Sequence, residues 1–339
     1  MRPHHGLRSL RTAVMMPPTP PPAGQPLVSQ GDELTIRTYR YVRVLIVLLT
    51  AGLISAVLVE QHTANCLLGS ISAYYYTPAR GLFTGALIGI GVCLIAVRGE
   101  NELQDGLLNV AGLFAPMVAL VPMHFGAGTP DRPSREAMCI ASAHRAPDLR
   151  PGNVKEGVFS LVTAGRIDSI RNNTFALLVM VGLGLLVLGV MIVWGRRHPR
   201  PGAGQPRVWP WAVTALIGAL VWVLYVFAHG FYIENVHFTT AVLMFAAVSL
   251  FAVFDGIRTI RLQRAVKRGI AYVVLGAILL TGCGVIMLAG NSAGWDYTTF
   301  TAEIWGIGIF LAFWIIQTID LWNHTSRRTA ILAATSRNG

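Results

Sequence analysis

Residues 174–195, TFALLVMVGLGLLVLGVMIVWG, carry no charged side chain. They are long enough to cross the hydrocarbon core of a bilayer, which takes about 20 apolar residues in a helix. A soluble surface helix of this length shows an apolar stripe, not an apolar circumference. Comparable blocks recur at about 41–60, 80–97, 106–124, 209–229, 237–256, 270–290 and 300–320, giving eight expected spans. Only 13% of the 339 residues are charged and 53% are hydrophobic, against about a quarter charged in soluble domains. Backbone polar groups in lipid must be satisfied within the segment, so the spans are expected to be helical. The expected fold class is all-α: a polytopic membrane helix bundle of about eight transmembrane helices.

The polar segments set the expected domain plan. Residues 1–36 are Pro-rich (MMPPTPPPAGQP) and read as a disordered cytoplasmic tail. Residues 37–323 form the spanning domain, with a long outer loop at 125–173, and residues 324–339 a basic tail. The net charge of +11 lies mostly in short loops. Arg2, Arg8, Arg11, Arg37 and Arg40 precede the first span. Four Arg lie in RRHPRPGAGQPR after the fourth span, and four Arg with Lys267 in IRTIRLQRAVKR after the sixth. Arg327, Arg328 and Arg337 close the chain. With eight spans all four segments fall on one side, and short basic loops mark the cytoplasm. Both termini are therefore expected in the cytoplasm, in a plasma-membrane protein whose main partner is the lipid bilayer. No motif points to nucleic acid.

The four cysteines form no C-x-x-C pair. Cys66 and Cys139 fall on the outer side, where a disulfide is an expectation; Cys93 and Cys283 lie inside spans and read as packing residues. Small residues at Gly85 and Gly89, and in GLGLLVLG of the fourth span, are candidate close-packing positions. Val154, Val158, Leu161 and Val162 suggest an interfacial amphipathic helix within the long loop.

Ionisable residues are almost absent from the midplane, which weakens an ion-coupled transporter. They gather at the outer helix ends instead. Ser70, Ser72 and Tyr74 in GSISAYYY, Glu234 and Asn235 in HGFYIENVH, and Glu303 near the start of the last span are the candidate ligand-pocket residues. His124, His229 and His237 are the candidate metal ligands, since imidazole with carboxylate suits Zn or Cu. The competing reading is an interfacial collar, because His, Tyr and Trp commonly sit at headgroup depth. The tyrosines by themselves fit that aromatic belt.

GSISAYYYTPARGLFTGALIGIGVCLIA, NVAGLFAPMVALVP and FWIIQTIDLWN together resemble uncharacterised multi-pass membrane proteins of actinobacteria over most of residues 40–323. That resemblance implies a plasma-membrane location and no particular activity. The serine-then-aromatic stretch and the interfacial histidines resemble, more faintly, the zinc-dependent membrane hydrolases that include alkaline ceramidases. This chain lacks their H-x-x-x-H pair on the last helix and has eight expected spans, not seven, so no ligand residue is carried over. Three readings of function follow. One is a small-molecule carrier or envelope accessory with an outward-facing polar site. Another is a metal-dependent hydrolase acting on a lipid or envelope substrate at the outer leaflet. The third is a structural subunit of a membrane complex or a homo-oligomer.

Overall fold

The computed structural model describes residues 30–99, 101–124, 126, 134–143, 164–198, 208–261 and 266–323. Helices are α1 (Gln30–Ala64), α2 (Arg80–Ala96), α3 (Glu102–Leu120), α4 (Arg135–Ala143), α5 (Ala164–Arg197), α6 (Trp209–Phe227), α7 (His229–Arg261), α8 (Val266–Ser292) and α9 (Thr298–Asp320). A short 3₁₀ helix, Ser72–Tyr76, lies between α1 and α2. No strand occurs among the described residues. The protein is an all-α bundle. Six of the helices, α1, α3, α5, α7, α8 and α9, are long and apolar enough to cross a membrane. The shorter apolar helices α2 and α6 supply the remaining two of the eight expected segments.

Local chemistry explains the boundaries. Asn101 caps α3, its side chain accepting from the Gln104 amide at 2.9 Å, as expected of an N-cap asparagine. Pro122 has no amide proton to continue α3, and Val121 before it is extended (φ −100°, ψ 105°). Asn65 ends α1 in the left-handed region (φ 49°), a known helix-stop conformation for Asn. Gly294 (φ 65°) does the same after α8, where the Trp295 amide returns to the Gly290 carbonyl at 2.9 Å.

Six helices form a closed ring in the order α1, α2, α3, α7, α8, α9, each packed on the next, with α9 returning to α1. The α5–α6 hairpin leans on the outside of the ring against α3 and α7. Its apolar stretch in α5 buries none of its residues within the chain. The ring interior is apolar, with an aromatic cluster of Phe251, Tyr272, Phe310, Phe313 and Trp314. At the end of the bundle away from Cys66 and Cys139, α1 reaches the last turn of α9. Arg40 donates to the Trp322 carbonyl at 3.1 Å and stacks on its ring, and Arg43 donates to the Leu321 carbonyl at 3.1 Å. The cations thereby cap the negative end of the α9 dipole. This places the start of α1 and the end of α9 on one face.

Several expectations are corrected. Residues 30–36 are the first turns of α1 and not a tail, because DELTI after Gly31 runs into the span with no Pro or further Gly. Residues 1–29 and 324–339 lie outside the described residues, as does the amphipathic stretch at 154–162. The close helix contacts use other glycines than those expected. A Cβ at Gly91 would lie 2.8 Å from the Gly112 carbonyl, one at Gly256 2.6 Å from the Gly269 carbonyl, and one at Gly276 2.7 Å from the Ser249 carbonyl. Gly85, Gly182 and Gly184 face open space, while Gly89 meets only the flexible end of Leu49. Small residues matter where two backbones meet, and α5 meets no backbone at Gly182 or Gly184.

Gly256→Val should therefore lower stability by about 1–3 kcal/mol, since backbone cannot yield to the added atoms. Gly182→Ala should stay within about 0.5 kcal/mol of the wild type. Thermal unfolding of both variants in the same detergent checks the contrast.

Candidate functional site: a carboxylate in a serine and amide cradle

The segment between α1 and α2 does not skirt the surface. Residues 70–77 are all buried. Irregular backbone at the depth of a bundle survives only when its polar groups are satisfied by protein. Part of that comes from within the loop. The Ala73, Tyr74 and Thr77 amides donate to the Ser70, Ile71 and Tyr74 carbonyls at 3.1–3.3 Å, and the Thr77 hydroxyl donates to the Tyr74 carbonyl at 2.9 Å. The amides that open the 3₁₀ helix have no earlier carbonyl to reach, as at any helix start. Glu303 receives them.

Glu303 lies on the second turn of α9. Its Oε2 accepts from the Ser70 hydroxyl at 2.6 Å, the Ile71 amide at 2.5 Å and the Ser72 amide at 3.4 Å. Its Oε1 accepts from the Ser72 hydroxyl at 2.8 Å. The Ser70 oxygen also accepts from the Ser72 amide at 3.0 Å. The Phe300 amide, one turn before Glu303, donates to the Gly69 carbonyl at 2.8 Å. Loop and helix thus exchange hydrogen bonds in both directions. No Lys or Arg among the described residues forms an ion pair with Glu303.

The tyrosines correct the aromatic-belt expectation. Tyr74, Tyr75 and Tyr76 are 1%, 3% and 4% exposed. A 3₁₀ helix turns three residues per revolution and sends successive side chains in three directions, yet all three are covered because residues 70–77 are buried on every side. Tyr76 donates to the Met123 carbonyl at 3.1 Å, and Tyr75 takes Arg80 on its hydroxyl (2.6 Å) and over its ring (4.2 Å). Burial pushes the Tyr74 and Tyr76 hydroxyls above their ordinary pKa, which keeps both in the neutral form that can share a hydrophobic core.

Three elements converge on the frayed end of α3. Asn173 donates to the Leu120 carbonyl at 2.5 Å, His237 Nδ1 to the Val121 carbonyl at 2.6 Å, and Tyr76 to the Met123 carbonyl. Arg166 donates to the Ile233 carbonyl at 2.5 Å, and Thr174 and Tyr232 share a hydrogen bond at 3.0 Å. These polar side chains fix α5 and α7 to α3 where Pro122 has ended the helix. Cys66 and Cys139 form the expected disulfide, with Cα atoms 5.7 Å apart. It ties the loop to α4 and closes a segment of 73 residues, a crosslink worth about 4 kcal/mol in the chain-entropy account.

Glu303 also lines open space. A groove of about 600 Å³ runs between α7 and α8 with α9 as its floor. It exists because α8 stays on α9 near the disulfide end, with Gly282 beneath Trp305 and Gly290 beneath Thr298. Meanwhile α7 is drawn toward α3 by His237. The tight α7–α8 contacts at Gly256 and Gly276 belong to the other end. Phe238, Val242, Leu280 and Leu288 line the groove and are exposed. His124, Glu234, His237 and Glu303 are its ionisable wall. Behind Glu303 lies a smaller apolar cavity of about 70 Å³ that includes Ser72, Phe83, Met244 and Phe310.

The sequence-predicted residues therefore divide. Ser70, Ser72 and Glu303 meet directly. Tyr74 is buried in the same loop. Glu234 lines the groove beside His124 and His237. Asn235 donates instead to the Phe231 carbonyl of its own helix at 3.0 Å, and His229 turns Nδ1 to the Tyr225 carbonyl at 3.1 Å. The expected Zn or Cu set of His124, His229 and His237 is not assembled. Among the described residues no three His, Cys, Asp or Glu side chains are placed to hold a metal ion; His229 is exposed at the start of α7 whereas His237 is buried two turns further on against α3. The carbonyl cluster at 120–123, Arg166 and the groove aliphatics were missed from sequence. Pro122 was the signal for the first; the others carried none. Comparison with protein-family models, curated proteins and solved structures finds no match to the chain.

Ser70→Ala and Ser72→Ala should each lower stability by about 1–3 kcal/mol, the cost of removing one partner from a buried pair. In a double-mutant cycle with Glu303→Ala the losses should be markedly non-additive, as expected for groups in contact. Additive losses in chemical unfolding would show that the cradle carries no coupling.

Proposed function

We propose that this chain is an integral plasma-membrane protein that holds an amphiphile at an outward-facing polar site, as a carrier of such molecules or as an envelope accessory. The observation that carries the reading is the groove itself. Part of its wall is exposed aliphatic and aromatic surface, suited to an acyl chain, and the rest carries Glu303, His237, Glu234 and His124. An interior ion path would instead place titratable groups at mid-depth. Metal-dependent hydrolysis is not carried further, since no ligand set converges among the described residues. The unburied α5 face needs only lipid to cover it, so a structural-subunit role explains nothing additional.

Orientation belongs to the same proposal. Arg37, Arg40, Arg196, Arg197, Arg258, Arg261 and Arg268 lie at the end of the bundle opposite the disulfide. Short basic segments favour the cytoplasm, and a disulfide favours the oxidising side. Both considerations favour the Glu303 end outside, with the start of α1 and the end of α9 toward the cytoplasm.

Gly284 offers a clean test. It lines the groove, and a Cβ there would meet nothing within 4 Å. Gly284→Phe should fill the groove without disturbing the fold. Native mass spectrometry should find a lipid retained on the wild type and largely lost from the variant, with thermal stability unchanged. Equal retention by both proteins would contradict the groove. Separately, a cysteine at Asn235 should react with an impermeant maleimide on intact cells; protection there, with labelling only after lysis, would reverse the orientation.

A further inference from the structure

The polar wall of the groove is one-sided in its hydrogen-bond chemistry. Val121 O can only accept, so the Nδ1 of His237 carries its proton. In the neutral ring Nε2 is then a bare acceptor. That atom is buried and has no hydrogen-bond partner, on a side chain only 8% exposed that lines the groove. A buried acceptor left without a donor is destabilising, so a small shift of the ring that brings Nε2 to a ligand donor in the groove is favoured. Glu303 adds a second acceptor. Its Oε2 has three donors and its Oε1 one, while a carboxylate offers about four lone-pair sites shared between two oxygens. Oε1 therefore keeps capacity.

The charges agree. Glu234 and Glu303 both line the groove, and no Lys or Arg does. One cation stands behind the wall: Arg166, on the Ile233 carbonyl, interacts electrostatically with Glu234 and His237. It offsets one carboxylate. Counting the imidazoles as neutral and both carboxylates as ionised, one negative charge has no cation beside it, and that carboxylate is Glu303. The aliphatic side of the groove opens laterally through Phe238, Val242, Leu280 and Leu288, the direction from which a membrane lipid would enter.

We infer that the groove selects membrane lipids whose head group carries a primary ammonium, with its N–H donors on Glu303 and on Nε2 of His237. This rests on the amphiphile reading above and adds the identity of the head group. A quaternary ammonium has the charge but no N–H to give, and an anionic glycerol head meets an uncompensated carboxylate. Both should bind less well.

The test uses the full chain in detergent and native mass spectrometry. The competitors are phosphatidylethanolamine, its N-monomethyl and N,N-dimethyl derivatives, phosphatidylcholine and phosphatidylglycerol, all with the same acyl chains. Retention should fall stepwise as N–H groups are lost, with phosphatidylethanolamine about tenfold ahead of phosphatidylcholine and phosphatidylglycerol, a difference one charge-assisted hydrogen bond can supply. Glu303→Gln should flatten the series, and Glu234→Gln should preserve it. The methylation series needs no variant, so a folding defect in Glu303→Gln cannot obscure the answer. Equal retention of all five lipids, or preference for phosphatidylglycerol, would overturn the head-group assignment while leaving the groove. Retention of none would overturn the groove reading itself.

Discussion

The carboxylate of Glu303 is the point on which the disulfide end of this protein depends. A loop buried inside a helical ring exposes amides that no neighbouring turn can reach, and leaving them unpaired there would be costly. One side chain, arriving from the last helix of the chain, accepts from two of those amides and two serine hydroxyls. The contact spans more than 230 residues of sequence and joins the first third of the chain to its end. Around it the loop can bury three tyrosines, close the ring between α1 and α9, and still leave one face of the carboxylate toward open space.

The groove follows from how the remaining helices share their contacts. Glycines bring α7 and α8 together at the end of the bundle that carries the basic residues. At the other end, α7 is pulled toward α3 by His237, whose imidazole satisfies a carbonyl that Pro122 leaves exposed. α8 instead stays with α9 through Gly282 and Gly290. Two helices held at one end and parted at the other enclose a wedge. Glu303 forms part of its floor, so the residue that fixes the loop is also available to a ligand. Structural and binding roles need not compete, because the cradle gives Oε1 a single donor where such an oxygen can accept two.

Much of the fold was legible in the sequence, because hydropathy reports directly on membrane spans. All eight segments appear as helices, although α1, α5 and α7 begin well before the expected spans at 41, 174 and 237. The disulfide was legible from side alone, and Ser70, Ser72 and Glu303 from their shared depth. What hydropathy cannot give is azimuth. Tyr74, Tyr75 and Tyr76 have the composition of an interfacial belt and are buried, because a 3₁₀ loop can fold inward as readily as it can lie flat. His229 and His237 were expected in one polar collar, yet they lie eight residues apart on the same helix, about 12 Å along its axis, and one is exposed while the other is buried against α3. The glycines failed for the same reason. Gly182 and Gly184 have the spacing of a packing motif but lie where α5 meets no neighbour, whereas Gly256 and Gly269 gain their role from a partner that spacing does not reveal.

The most direct measurement is an electron cryomicroscopy structure of the full chain in a lipid nanodisc. The account predicts Glu303 within hydrogen-bond distance of both Ser70 and Ser72, and elongated density in the groove between Phe238 and Leu288 that ends at Glu303 and His237. A loop 65–79 lying on the membrane surface with Glu303 turned away from it, or α7 seated against α8 along its whole length, would contradict it.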